Sequence, residues 1–495
     1  MKKYIYICII TLGIGLTSCQ DWLDVPFKTR TKAEDLFQSE AGFREALRGI
    51  YIGMAQESLY GRELTFGFFE VIIGNFALLS NHNTYYQQVA EGRLMNTNVR
   101  PVIDRMWAGL YNLIANINFL LENIENQNGI LTGNNYEIMK GEALALRAFL
   151  HLELFKIFGN ASNLDTIALP YVVAIGTEVT PSSATGHDFL NLVMKDLDAA
   201  LVYLEKDPIF TTKNKKNSNP FLNDRQMRMN YYAAQAVYAR AALWAGNDAK
   251  ALEKARYVIA ASNAVFPWVL RENVTTSDER SRDFTFSTEH IFCLNVSNLR
   301  SIYEEWLGAS APATRLLSAS GGPWGNFANW FQVNAGIGNS DYRYVYLRED
   351  RGLADNWGNA IDVVLLSKFS QPVGYNPEFA NRIPLIRRSE MYYIVAEVLS
   401  KTDIPAATEY LNAVRIQRGI TTPLAGLTQA QFDRELDREH IKEFWGEGHY
   451  FFFYKRRNIQ TNPPDRWLPW VDGGTFQLRT AYVLPRPDAE IELGR

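Results

Sequence analysis

Two stretches of this chain combine flat aromatic side chains with amide groups, and that mixture suits contact with a saccharide. A sugar ring has apolar C–H faces and a polar rim, so an aromatic ring can stack on a face while Asn, Gln or Arg hydrogen-bonds the rim. The first stretch, 81–88, contains Asn81, Asn83, Tyr85 and Tyr86. The second contains Tyr303, Trp306, Trp324, Asn326, Asn329 and Trp330. The alternative is that these aromatic side chains pack loops onto a scaffold.

Patterns that would indicate catalysis or a bound metal are weak. The chain has no Gly-x-Ser-x-Gly elbow, no phosphate-binding glycine loop and no His-Glu-x-x-His motif. Glu439, Glu443 and Glu447 are spaced to share one helix face, and we expect a solvated or salt-bridged face rather than a metal site. Arg387 and Glu390 are also spaced to share a face, which predicts an internal ion pair. We therefore predict no catalytic residue, no metal and no cofactor.

Cys19 has the most specific chemistry in the chain. It closes the run Leu16-Thr17-Ser18-Cys19, after a basic start and an apolar stretch at 4–16 that is too short to span a bilayer. This pattern resembles the lipobox of a bacterial lipoprotein, in which the cysteine thiol receives a diacylglycerol and becomes the first residue of the mature chain. We predict that 1–18 is a lipoprotein signal peptide and that Cys19 is the lipidation site. A plain secretory signal is the alternative.

The composition excludes several classes of protein. The chain has 495 residues, of which 47% are hydrophobic and 13% aromatic, so it is expected to fold rather than stay disordered. Its formal net charge of −4, with both signs mixed, provides no basic face for nucleic acid. Cys293 lies in an apolar run and is expected to be a buried, unreactive thiol.

Amphipathic helices are the elements that must position these residues. One apolar stripe recurs at helical spacing through Trp107, Leu110, Tyr111, Ile114 and Leu121. Residues 228–262 predict a helix pair with small side chains at the crossing, and 388–418 predict another. Such pairs resemble tetratricopeptide repeats, although the period is not constant. We predict a mainly α, helical-repeat scaffold with long loop-rich insertions at about 75–100 and 263–380.

The second insertion is rich in Gly, Ser, Asn, Trp and Tyr. It contains the alternating run Tyr342-Arg343-Tyr344-Val345-Tyr346, which predicts one of a few short strands among loops. Long irregular segments inside a compact protein are usually functional. We therefore expect a binding surface here.

Short motifs follow one another in a fixed order along nearly the whole chain. They include Trp107-Ala108-Gly109-Leu110-Tyr111, the run 142–149 before Phe158-Gly159-Asn160, the run 410–415, and Glu447-Gly448-His449. Together with the lipobox, this order resembles the SusD/RagB family of surface nutrient-binding lipoproteins. The chain departs from the family pattern after His449, where an aromatic run replaces an Arg, an aromatic residue and Asp-Leu.

The resemblance implies a SusD-like α-α superhelix that forms a single domain over 19–495, and a binding protein rather than an enzyme. Members of this family are lipid-anchored on the exterior of the outer membrane. They pass an oligosaccharide or polysaccharide, or in some members a peptide, to a SusC-like TonB-dependent transporter. Their ligand loops fall in comparable parts of the chain, so we nominate as ligand-binding residues Asn81, Asn83, Tyr85, Tyr86, Tyr303, Trp306, Trp324 and Trp330. A peptide-binding member of the family and a surface glycosidase remain the alternatives.

Overall fold

Helices make up most of the structure, a computed structural model that describes residues 35–79, 81–175, 185–320, 326–354, 360–459 and 481–492. In the N-terminal half the helices are α1 (Glu40–Met54), α2 (Phe68–Ile72), α3 (Tyr86–Ala90), α4 (Arg100–Asn126), α5 (Asn135–Phe158), α6 (Gly186–Leu204), α7 (Pro208–Thr211) and α8 (Tyr231–Trp244). They continue as α9 (Asp248–Val265), α10 (Arg271–Thr275), α11 (Leu299–Trp306), α12 (Asn326–Trp330), α13 (Tyr342–Tyr346), α14 (Arg388–Leu399), α15 (Ile404–Gln417), α16 (Gln429–Phe444), α17 (Tyr450–Arg456) and α18 (Asp488–Glu492).

The long helices pack in succession, so that each buries its apolar face against the next. In this order α1 contacts α4, α4 contacts α5, and α5 contacts α6. The succession continues through α8, α9, α14 and α15 to α16. It confirms the predicted helical-repeat scaffold and includes both predicted helix pairs, α8 with α9 and α14 with α15. In the described part of the chain, no helix has both the length and the apolar character that crossing a membrane requires.

Side-chain caps determine where several of these helices begin. Thr185 accepts a hydrogen bond from the backbone N–H of Asp188, whose carboxylate accepts one from the Thr185 N–H in return. Thr428 and Gln431 form the same reciprocal pair at the start of α16. Asn247 caps α9, immediately after the turn that joins it to α8. These local signals fix the helix ends, whereas packing decides which face is buried.

The short strands belong to two antiparallel sheets in the C-terminal half. Strand β1 (His290–Asn295) pairs with β5 (Arg382–Arg387). The second sheet places β4 (Ala360–Leu366) between β2 (Ala319–Ser320) and β3 (Arg348–Ala354). The β3–β4 hairpin thus projects from the predicted insertion, which also contains short helices.

The strand predicted at Tyr342–Tyr346 is wrong, because these residues form the short helix α13. Asp341 caps this helix by accepting a hydrogen bond from the Arg343 N–H at 3.0 Å. The Arg343 guanidinium is itself buried and donates to Asp341, Glu439 and Glu443. A capping residue and long-range ion pairs therefore override the local alternation of side chains.

The ion pair predicted between Arg387 and Glu390 is also wrong. Arg240 of α8 donates to both carboxylate oxygens of Glu390, at 2.7 and 2.8 Å. Arg387 donates instead to Glu447 at 2.9 Å and to Glu443. The reason is that Arg387 ends strand β5 with an extended backbone, so helical spacing does not apply to it.

Candidate functional site

The two sequence regions nominated for ligand binding meet in the structure. The backbone N–H of Ala77 donates to the carbonyl of Ser318 at 2.7 Å, and that of Asn83 donates to Thr314 at 3.0 Å. Ala77 and Asn83 therefore lie beside the segment that follows α11. Residues more than two hundred positions apart in the chain share one surface.

Several of the nominated aromatic side chains form the packing that joins these segments. The Trp306 ring meets Tyr86 edge-on at a centroid distance of 5.5 Å, and the Arg62 guanidinium lies 4.4 Å from its centroid. The hydroxyl of Tyr86 donates to the buried Glu63 carboxylate at 3.0 Å, and the hydroxyl of Tyr85 donates to the same carboxylate. Arg62 completes the cluster with an ion pair to Glu63 at 3.0 Å.

Burial separates the nominated residues into two groups. Tyr86, Tyr303, Trp306 and Trp330 are buried, with exposed fractions of 0%, 8%, 5% and 4%. In this structure they contribute to packing and offer no open ring face to a ligand. Asn81 and Tyr85 are half-buried and Asn83 is exposed, so these three remain accessible. Trp324 and Cys19 lie outside the described residues.

An aromatic cluster lies beneath the second nominated region. The Phe327 ring is 5.8 Å from that of Trp330 and 4.8 Å from that of Trp445. Phe327 also stacks on Tyr344 at 5.7 Å, with an angle of 24° between the rings. The buried Phe327, Trp330 and Trp445 thus support the half-buried Tyr344.

A groove with a volume of about 420 Å³ opens above this cluster. It lies between α12, the turn that follows it, and the β3–β4 hairpin. Its apolar lining is Phe327, Ala328, Val333, Tyr344 and Val364. Its polar lining is Asn334, Arg348, Asp350, Arg351 and Asp362. The volume falls within the range of small-molecule sites, and the lining combines aromatic residues with groups that can hydrogen-bond.

The polar rim of this groove is ordered by its own contacts. The Arg348 guanidinium lies 4.1 Å from the Tyr344 ring centroid and its Nε donates to the Tyr344 carbonyl at 2.8 Å. Arg348 also forms an ion pair with Asp350. Arg351 differs, because its Nη1 is buried and has no hydrogen-bond partner among the described residues. A ligand with an acceptor group would satisfy that donor.

None of Tyr344, Arg348, Asp350, Arg351 and Asp362 was nominated from the sequence. The register of the hairpin brings them together, with Arg351 opposite Val363 and Gly352 opposite Asp362. The sequence offers a run of four charged residues at 348–351, which indicates a solvated segment. That signal gives no sign that a strand forms there or that a groove lies beside it.

Glu439 and Glu443 of α16, together with Glu447 just beyond the end of that helix, are salt-bridged rather than solvated. Glu439, Glu443 and Glu447 are exposed by only 0%, 1% and 4%. Burial by itself raises the pKa of Glu439, but Arg343, Lys442 and Arg415 outweigh it and hold that pKa well below its usual range. Carboxylates held charged in this way have a structural role.

Comparisons with known proteins agree with this fold. A family profile described as starch-binding and associating with the outer membrane matches residues 21–222, and one described as the SusD family matches 321–477. The chain belongs to the SusD/RagB family. It is 23% identical to SusD-like protein P25 of Formosa agariphila, over 91% of this chain and 89% of that protein.

Solved structures have the same architecture. A SusD superfamily protein from Bacteroides thetaiotaomicron superposes with a TM-score of 0.68 at 22% identity, over 92% of this chain and 98% of that one. Surface glycan-binding protein A of the same organism, solved in complex with laminarihexaose, gives a TM-score of 0.62 at 15% identity, over 92% and 98% of the two chains. At these identities the likeness establishes the fold, which is the predicted SusD-like helical scaffold.

Proposed function

We propose that this chain binds an oligosaccharide in the groove between α12 and the β3–β4 hairpin. The observation that carries the proposal is the combination of the half-buried Tyr344, which rests on the buried Phe327, with the unsatisfied buried donor of Arg351. A sugar would contact the half-buried side chain of Tyr344, and its hydroxyl groups would accept from Arg351. The accessible residues Asn81, Asn83 and Tyr85 would extend this surface.

The test is affinity electrophoresis of the full chain in native gels that contain a panel of polysaccharides. A ligand retards the wild type, and we expect Tyr344→Ala and Arg351→Gln to reduce that retardation strongly. Tyr257→Ala is the matched control, because Tyr257 is an exposed tyrosine on the scaffold helix α9. Full retardation of both groove variants, in a gel that retards the wild type, would contradict the assignment. A loss of retardation in Tyr85→Ala would assign the ligand to the first nominated region.

We also propose that the chain binds saccharides without cleaving them. Support comes from the carboxylates of α16, which are buried and bound to arginines. Asp350 and Asp362 do line the groove, so they are the acids to test. Incubation with each retained glycan should release no new reducing ends. Release that disappears in Asp350→Asn or Asp362→Asn would make the protein a glycosidase.

The cellular role that we propose is delivery of the captured glycan to a SusC-like TonB-dependent transporter. Residues 1–18 would be removed as a signal peptide, Cys19 would carry the lipid, and 19–495 would form one domain on the exterior of the outer membrane. Family membership and the lipobox support this role. Mass spectrometry of the native protein should find an acylated Cys19 at the amino terminus. Co-purification from solubilised outer membranes should recover the transporter.

A further inference from the structure

A second pocket, with a volume of about 320 Å³, lies on the scaffold between the segment 213–216, the end of α9 and strand β5. Its charged lining consists of four cations and one anion: Lys213, Lys215, Lys216, Arg382 and Glu378. Ser287 and Thr288 add hydroxyl groups. The pocket is therefore strongly cationic, although the chain as a whole carries a net charge of −4.

Arg382 is the unusual residue of this pocket. Its exposed fraction is only 7%, and its Nε is buried without a hydrogen-bond partner. In the described part of the chain no hydrogen bond or ion pair satisfies its guanidinium. By contrast, the buried Arg225 is held by Asp207 and Glu142. A buried guanidinium nitrogen without a partner is unfavourable, and an anion bound at Nε would remove that penalty.

Lys215 is the second cation that faces this pocket from a partly buried position. Its Nζ donates to the Thr288 carbonyl at 2.9 Å and lies 5.0 Å from the Phe266 ring centroid. The Thr288 hydroxyl is buried without a partner, so it adds one more unused donor nearby. Burial, with a smaller contribution from the charge of Arg382, lowers the pKa of Lys215 to about 8. The positive charges of the two residues are close enough to oppose each other.

Lys216 forms an ion pair with Asp224 at 3.2 Å, but in the described part of the chain no carboxylate forms an ion pair with Arg382 or Lys215. Glu378 is exposed, and no hydrogen bond or ion pair within the described ranges joins its carboxylate to Arg382 or Lys215. Asp283 is buried but accepts from the backbone N–H and hydroxyl of Ser287, at 2.8 and 2.9 Å. A positive potential therefore remains inside the pocket.

We propose that this pocket binds an oxyanion, with Arg382 as its main ligand and Lys215 as the second. The guanidinium fork suits the paired oxygens of a sulfate, phosphate or carboxylate group. The group would arrive either as a free inorganic anion or as the acidic substituent of a saccharide. The site is separate from the groove at the β3–β4 hairpin, since the two share no lining residue.

The test is titration calorimetry of the full chain with sodium sulfate at constant ionic strength. We expect saturable binding to the wild type, weakened about tenfold or more in Arg382→Gln and in Lys215→Met, because each loses a charge-assisted hydrogen bond. Arg382→Lys keeps the charge without the fork and should bind with intermediate affinity. Arg300→Gln is the matched control, an exposed arginine on α11 that should bind as the wild type does.

A pair of oligosaccharides that differ only in a sulfate substituent distinguishes the two sources of the anion. If the substituent is the ligand, the sulfated sugar binds the wild type more tightly than the neutral one, and Arg382→Gln removes that difference. Equal affinity of the two sugars, with sulfate itself bound, assigns the site to a free anion. The absence of saturable binding by every anion, or unchanged binding in Arg382→Gln, overturns the proposal. Gel retardation by neutral glycans tests the groove between α12 and the β3–β4 hairpin, so failure of the oxyanion proposal can be distinguished from failure of the proposed function.

Discussion

His151 allows a quantitative test of how the scaffold is held together. It is fully buried in α5, and its ring stacks on Tyr171 at a centroid distance of 3.9 Å. Its Nε2 accepts from the Val172 N–H at 3.0 Å, and its Nδ1 lies 2.9 Å from the Arg147 carbonyl. These partners require a neutral ring that carries its proton on Nδ1. Protonation of Nε2 would break the bond to Val172.

The size of the effect follows from the pKa of this ring. Burial lowers the pKa of His151 from 6.5 to about 3. Below pH 6.5 His151 is therefore protonated in the unfolded chain, whereas in the folded chain it stays neutral until about pH 3. The free energy of unfolding falls as the pH falls through this range. The slope is about 1.4 kcal/mol per pH unit. Between pH 7.5 and pH 5 this residue removes about 2 kcal/mol from the free energy of unfolding.

The assay compares urea unfolding of the wild type and His151→Gln at both pH values. The variant will be less stable at pH 7.5, because it loses the stacked ring, but its loss on acidification should be smaller by about 2 kcal/mol. Other buried histidines titrate in both proteins and cancel from this difference. His187→Gln, which changes an exposed histidine, should lose as much as the wild type. An acid-induced loss in His151→Gln that equals that of the wild type would refute the reasoning.

Two further predictions concern buried groups. Glu443 accepts hydrogen bonds from Arg343, Arg387 and Arg418, so Glu443→Gln should lower the free energy of unfolding by about 3–5 kcal/mol. The control Glu409→Gln, on an exposed face, should change that free energy little. Equal urea midpoints for the two variants would contradict the ion-pair argument. Cys293 is fully buried, and burial raises the pKa of its thiol to about 11. A thiol reagent at pH 8 should therefore modify it only after unfolding, and rapid modification of the native chain would show that the strand opens.

The scaffold could be predicted from the sequence because its signals are local. The stripe from Trp107 to Leu121 follows the helical period, and its members at 107, 110, 114 and 121 are buried as expected. The small side chains of α8 likewise predict a close helix crossing, and every residue of α8 is buried in the structure. Caps such as Thr428 with Gln431 mark the helix starts without any knowledge of the fold.

The groove could not be predicted in the same way, because tertiary contacts decide which side chains reach the surface. Tyr86 and Trp306 have the composition of a sugar-binding loop, yet Glu63 and Arg62 hold them inside. The sequence predicts a strand at Tyr344, although this residue forms the floor of the groove. A loop rich in aromatic residues has the same composition whether those residues pack inside the protein or bind a ligand, so sequence alone does not separate the two uses.

The buried ion pairs connect the predictable scaffold to the less predictable groove. Arg343 donates to Glu439 and Glu443 of α16, and its neighbour in the chain, Tyr344, lies on the floor of the groove. Charged pairs at full burial tolerate little displacement, since moving a guanidinium from its carboxylates leaves both unsatisfied. Because α16 holds Arg343 in place, it also fixes the position of the adjacent Tyr344. Substitutions in the cluster should therefore reduce the proposed glycan binding in affinity gels, even though none of these residues lines the groove.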